Sequence, residues 1–198
     1  GYFPLPIQHG MTVGELAEVF NVENKIGVKL HVIKMVGYQR TSWYDETRLP
    51  WVNPSPNLRS LTQAILYPGV AMVEGANVSV GRGTETPFEL LGAPWISADE
   101  LTQYLNERQI PGVRFRPAHF VPHGYRFKDQ LCHGIQMILN DRQCFDSSFL
   151  GIEIASALYR LYPNDFQIEK TLALMGSRWL VDAIKESEPQ FIISKWEE

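Results

Sequence analysis

The sequence is short of cysteine, of positive charge and of long apolar runs, and each shortage removes a class of protein. Two cysteines, Cys132 and Cys144, make no disulfide framework, although one bridge and a pair of buried thiols both stay open. Eighteen Lys and Arg against 22 Asp and Glu leave a net charge of −4. No basic surplus exists to neutralise phosphates, which argues against a nucleic-acid partner. No apolar run approaches the roughly 20 residues of a membrane helix, so no membrane span is expected. Residues 1–10 hold neither a basic n-region nor an apolar h-region, and no signal peptide is read there. What remains is the composition of an ordinary globular domain, 44% hydrophobic and 20% charged, which leaves the compartment open. A chain of 198 residues suffices for one sizeable core or two small ones.

Familiar catalytic signatures are missing as well. Gly-x-Ser-x-Gly is absent. Gly81-Arg82-Gly83 starts like a dinucleotide fingerprint, but the third glycine is lacking and Pro87 blocks the helix that should follow. No nucleotide or other cofactor is expected. His119 and His123 would share one face of a helix, yet Pro117 and Pro122 break that helix, and no glutamate follows His119. The cysteines lack paired spacing, so no metal site is expected either.

What is present reads as one α+β domain, a single mixed sheet packed with helices. Two prolines extend Tyr2–Ile7. Thr12 with Glu15 forms a capping box that opens a helix over 12–21. Alternation predicts a strand over 30–35. Aromatics and prolines make 37–57 a long ordered loop. A helix is predicted over 58–66 and strands over 70–74 and 87–91. Ser97 with Glu100 forms a second capping box, for a helix ending near Arg108. Strands are predicted over 112–117 and 134–139, and helices over 149–161 and 177–186.

Three groups of side chains are candidates for chemistry. Glu74 ends one predicted strand, and Glu89 lies within an apolar one, where burial beside Phe88, Leu90 and Leu91 would suit an acid catalyst. Strand alternation equally turns Glu89 to solvent. Gly81 and Gly83 permit positive φ and could aim Arg82 and the amide of Thr84 at an anion; a tight turn with an exposed arginine is the equal alternative. The short span from Arg82 to Glu89 predicts that both join Glu74 in one polar cluster, with Arg82 keeping Glu89 ionised. Finally, Trp43, Trp51 and Trp95 are flat apolar platforms suited to pyranose rings, with Asn53, Ser55 and Asn57 as polar edges. Core packing is the competing use of each tryptophan.

Six ordered blocks carry a resemblance: His9–Ala17, Leu49–Asn57, Leu66–Gly69, Glu74–Thr84, Pro87–Trp95 and Pro111–Phe115. They resemble the NamZ-type exo-β-N-acetylmuramidases. The resemblance implies release of N-acetylmuramic acid from non-reducing ends of peptidoglycan fragments, with a muramyl saccharide as ligand and a periplasmic or secreted location. Members are about twice as long, with a Rossmann-like N-terminal subdomain, a smaller second one and an active site between them. On this reading residues 1–198 are the second, substrate-binding subdomain, and the N-terminal one is absent. The family's glutamate lies in a Glu-His-Gly stretch. None of the His-Gly pairs here (His9-Gly10, His123-Gly124, His133-Gly134) matches it, so no catalytic residue is carried over and little turnover is expected of this chain alone. The expected substrate-binding residues are Trp51, Asn57, Glu74 and Asn77, together with Ser79, Arg82, Thr84 and Glu89. Arg82 is assigned to the lactyl carboxylate, which a guanidinium takes through two parallel hydrogen bonds. A subdomain without its partner should also bare apolar surface around 43–57 and 74–84, where a homodimer would form. The alternative is a non-catalytic cell-wall carbohydrate-binding or dimerisation module.

Overall fold

The computed structural model describes Leu5 and residues 9–194; apart from Leu5, the extended segment expected over 2–7 lies outside the described residues. The chain forms two compact units, Gly1–Pro50 and Trp51–Glu198, where one domain was expected.

In the first unit, α1 (Val13–Glu23) starts at the predicted capping box. The Glu15 amide donates to Thr12 Oγ1 (3.2 Å), and the Thr12 amide donates to Glu15 Oε2 (2.7 Å). Arg40 adds a salt bridge of 2.7 Å to Glu15. Its hydrogen bond, with those from Thr12, holds the Glu15 carboxyl down at about 2. Asn21 pins Val28 through both its amide atoms. Beyond Val28, the strand expected over 30–35 does not form. The alternation is real, but no described segment offers it a ladder partner, and Ile33 and Val36 stand almost fully exposed. Residues 37–57 form a loop, as predicted, with a 3₁₀ turn at Tyr44–Thr47.

The second unit is built on a three-stranded antiparallel sheet in the order β1-β3-β2. Its strands are β1 (Leu90–Ala93), β2 (Val113–Phe120) and β3 (Cys132–Leu139). The class is α+β as expected, but no parallel pair makes the sheet mixed. β2 and β3 form a hairpin, in register from Val113↔Leu139 to Phe120↔Cys132. β1 starts three residues later than predicted because Phe88 adopts a left-handed φ of 63°, which no strand accommodates. The predicted strand over 70–74 is instead the end of α2 (Leu61–Val70) and a 3₁₀ turn, Ala71–Val73. A short run that is apolar on every side carries no period to separate helix from strand.

α3 (Ala98–Glu107) lies against β2 and β3. Its N-cap forms, with Ser97 Oγ accepting from the Glu100 amide, but the reciprocal half of the predicted box does not. The Ser97 amide donates to the Tyr162 hydroxyl instead (3.2 Å). α4 (Ser147–Leu161) packs on α2 at unusually close range. A Cβ on Gly69 would sit 1.9 Å from the Ser147 carbonyl oxygen, so only glycine fits there. The short α5 (Leu172–Met175), α6 (Arg178–Glu186) and α7 (Pro189–Ser194) complete the unit. One continuous core runs from Leu66 to Ile192.

Candidate functional site

The segment after the 3₁₀ turn is held straight by the sheet. Ser79 exchanges backbone hydrogen bonds with Gly92 (2.7 and 2.9 Å), and Val78 and Val80 point into the core. The chain then reverses. Gly81 takes a φ of 78°, and the Thr84 amide donates to the Gly81 carbonyl (3.1 Å). This turn folds Arg82 back over Glu74. Its Nε and Nη2 donate to the two carboxylate oxygens, the second at 3.2 Å. Two parallel charge-assisted bonds fix the guanidinium in direction as well as position. Its central carbon lies 4.9 Å from the centroid of Phe88 and 5.7 Å from that of Tyr125, so two aromatic faces add cation–π attraction.

Tyr125 comes from the loop 121–131 that joins β2 to β3. That loop is docked on the turn. The His123 amide donates to the Gly83 carbonyl (2.9 Å), and a Cβ on Gly83 would meet the Gly124 nitrogen at 2.6 Å. Tyr125, Phe127 and Asp129 all take left-handed φ values of 58–64°. Non-glycine residues held there cost roughly 1 kcal/mol or more each, and such strain collects at ligand clamps. Asn57 steadies the loop from the other side, donating from Nδ2 to the Tyr125 hydroxyl (3.2 Å). Between turn and loop lies a pocket of about 210 Å³, lined by Glu74, Val78, Ser79, Val80, Arg82, Tyr125 and Arg126.

Of the residues singled out in the sequence, Glu74, Ser79 and Arg82 line this pocket. Asn57 reaches it through Tyr125. Thr84 closes the turn, its hydroxyl donating to the Gly81 carbonyl (2.7 Å). Its amide is satisfied within the turn, so the expected role in holding an anion does not stand. The others lie elsewhere. Asn77 clamps a later turn, donating to the Asp165 carbonyl (2.8 Å) and accepting from the Gln167 amide (2.9 Å). The indole of Trp51 donates to the Leu58 carbonyl (3.3 Å). Glu89 is half-buried and accepts from Gln63 Nε2 (3.1 Å). The expected Arg82–Glu89 pair does not form: the left-handed bend at Phe88 brings that residue's ring to the guanidinium and leads Glu89 away to Gln63.

Tyr125 and Arg126 were missed. Their only signal in the sequence is Gly124 in a loop between two strands, beside the more conspicuous His119 and His123. Those histidines are exposed or half-exposed; His119 Nδ1 and His133 Nδ1 meet at 2.8 Å across the hairpin. Among the described residues no group of three or more potential ligands could hold a metal, and no helix is long and apolar enough to cross a membrane. Trp95 serves the core, stacked edge-on with Tyr162 at 5.5 Å. Both thiols are free; Cys132 is buried and Cys144 exposed. Leu49 and Val52 are exposed as expected for the loop 43–57, whereas Val78 and Val80 are buried, so no apolar patch forms over 74–84. A larger open groove of about 480 Å³ runs along α3, but Asp99, Glu100 and Glu107 line it and would repel an acidic ligand.

Comparison with known proteins places this geometry in a family. The model described as "Exo-beta-N-acetylmuramidase NamZ, C-terminal" matches residues 65–198, and its N-terminal counterpart matches residues 1–62. Residues 1–62 therefore match the first half of the family, where the sequence alone assigns the whole chain to the second subdomain. The peptidoglycan β-N-acetylmuramidase NamZ of Bacillus subtilis (strain 168) is 41% identical over 201 residues, which cover 100% of this chain and 49% of that protein. A crystal structure of a DUF1343 family protein from Bacteroides fragilis NCTC 9343 superposes with a TM-score of 0.76 at 28% identity, covering 99% of this chain and 51% of the other. A second DUF1343 family protein from the same organism gives 0.71 at 26%, covering 98% and 53%. The chain thus spans about half the length of the relatives it matches.

Proposed function

The chain belongs to the NamZ exo-β-N-acetylmuramidase family, and from that premise we propose that it is part of a peptidoglycan glycosidase that frees N-acetylmuramic acid from non-reducing ends. Its own contribution is substrate recognition at the Arg82 pocket, on the edge of a cleft completed by further N-terminal chain. One observation carries this: a guanidinium held in a fixed direction by Glu74, beside an aromatic face and the mouth of a pocket of about 210 Å³. That combination suits a single acidic sugar, whose ring packs on Tyr125 while polar groups take its substituents. Glu74 is placed as a positioning residue, because both its oxygens already accept from Arg82. Glycoside hydrolysis needs an acid and a second group across the scissile bond, and the described pocket offers no second free carboxylate. The alternating run 30–35, within the N-terminal family match and without a ladder partner among the described residues, supports a role as a strand that more of that half would complete. On this reading the protein works outside the cytoplasm, in the turnover of cell-wall fragments.

Turnover of a chromogenic N-acetylmuramide tests the reading. The chain 1–198 should be nearly inactive, and the same chain joined to a complete N-terminal family half should release muramic acid from the non-reducing end. Release of N-acetylglucosamine instead, or strong turnover by 1–198 alone, would overturn it.

A further inference from the structure

We infer that Arg126, not Arg82, is the residue that selects a carboxylate-bearing sugar in this pocket, with Arg82 as its fixed companion. The inference rests on the glycosidase reading and deepens it by assigning the discrimination between muramic acid and glucosamine to one side chain. Three observations lead to it. First, Arg82 is already paired: both carboxylate oxygens of Glu74 accept from it, and its side chain is only 23% exposed. A ligand carboxylate competing for that fork would have to displace a bidentate partner and leave Glu74 without one. Second, Arg126 lines the same pocket, is exposed, and has no hydrogen-bond or ion-pair partner among the described residues. Two guanidiniums thus face one carboxylate, and the pocket has one positive charge in surplus. A monoanionic ligand neutralises that surplus; an uncharged sugar does not.

Third, the backbone around Arg126 is strained on both sides. Tyr125 and Phe127 hold left-handed φ values of 64° and 58°, and the loop is tied down by His123 to Gly83, Asp129 to Pro122 and Asn57 to Tyr125. Strain persists only where the surroundings over-determine it. Here they fix the Cα of Arg126 at the rim while leaving its side chain without an internal partner. The pocket is smaller than the roughly 300 Å³ at which drug-sized sites begin, which suits one sugar substituent and part of one ring. N-acetylmuramic acid differs from N-acetylglucosamine by a lactyl ether at O3 that ends in a carboxylate. The geometry puts that carboxylate against the free fork of Arg126, with the sugar ring toward Tyr125 and Arg82.

Because Arg126 makes no described internal bond, Arg126→Ala should fold normally. The experiment titrates N-acetylmuramic acid and N-acetylglucosamine into the wild-type protein and into Arg126→Ala and Arg126→Lys, following backbone amides by NMR. Muramic acid should shift the signals of residues 79–84 and 124–127, and N-acetylglucosamine should bind at least about tenfold more weakly, as expected for loss of a charge-assisted pair. Arg126→Ala should erase the difference between the two sugars, and Arg126→Lys should restore only part of it because lysine lacks the planar fork. Equal binding of both sugars by the wild type, or an Arg126→Ala variant that still prefers muramic acid, would overturn the inference. The two readings fail separately. Muramide turnover by the chain joined to a complete N-terminal family half, with a kcat/KM untouched by Arg126→Ala, removes the inference and leaves the glycosidase standing. A muramic-acid preference lost in Arg126→Ala, when that joined protein cleaves no muramide, removes the glycosidase and leaves the site.

Discussion

Arg82 and Glu74 were both visible in the sequence, since a Gly-Arg-Gly turn eight residues after a glutamate advertises a side chain aimed back along the chain. Their partners were not. Tyr125 and Arg126 come from a loop more than forty residues later, and only the register of the β2–β3 hairpin brings them over the turn. Glu89 misled for a local reason: a reading by strand alternation assumes ordinary β dihedrals, and Phe88 at φ 63° breaks that assumption one residue before it. The two cysteines, left open between a bridge and free thiols, have opposite surroundings. Burial pushes the Cys132 thiol up to about 11, so it offers almost no thiolate at neutral pH, whereas Cys144 is exposed. One equivalent of a thiol reagent should therefore label Cys144 within minutes and Cys132 only in denaturant. Mass spectrometry of the labelled peptides checks this, and rapid modification of Cys132 in the folded protein would contradict its placement.

Helices announced themselves better than strands did. α1, α3, α4 and α6 each begin at a Thr, Ser or Asp whose side chain accepts from the first turn, and caps are local chemistry that sequence displays. The stretch 70–74 and the start of β1 depend on tertiary packing and were not legible. Nor was the ion pair that joins α3 to α4. Glu153 is 1% exposed within α4 and takes two hydrogen bonds, of 2.9 and 3.0 Å, from Arg108 at the C-cap of α3. Glu188 approaches Arg108 at 3.7 Å and also pairs with Arg160. Removing one partner strands a buried charge, so Arg108→Met should cost about 3–5 kcal/mol in urea unfolding. The double variant Arg108→Met, Glu153→Leu should recover much of that loss, because the uncompensated charge is gone. A single variant as stable as wild type would mean that the carboxylate finds water instead.

For the molecule as a whole, the α+β class followed from a mixture of capped helices and alternating strands, but the division at Pro50 did not. Residues 30–35 read like one more strand of a single sheet, but they belong to the first unit and have no ladder partner among the described residues. The continuous core lies entirely within residues 66–192, and α1 buries no residue at all. The fragment 51–198 should therefore unfold in one cooperative transition, with a Tm within about 5 °C of the 198-residue chain. Calorimetry decides, and a broad, non-cooperative melt would show that the second unit needs the first.

The loop that carries Tyr125 and Arg126 has a consequence for descent within the family. It hangs from the end of a two-stranded hairpin whose register is fixed by eight paired positions, so exchanges within it leave the pairing of the strands intact. Yet the same loop forms one wall of the pocket. Exchanges at the exposed Tyr125 and Arg126 alter what the pocket admits without disturbing a buried residue, while the opposite wall, built from the Gly81–Thr84 turn and its Arg82–Glu74 fork, has little room to vary. Diversification of ligand choice among relatives should accordingly be written in this loop, with the turn as the inherited constant.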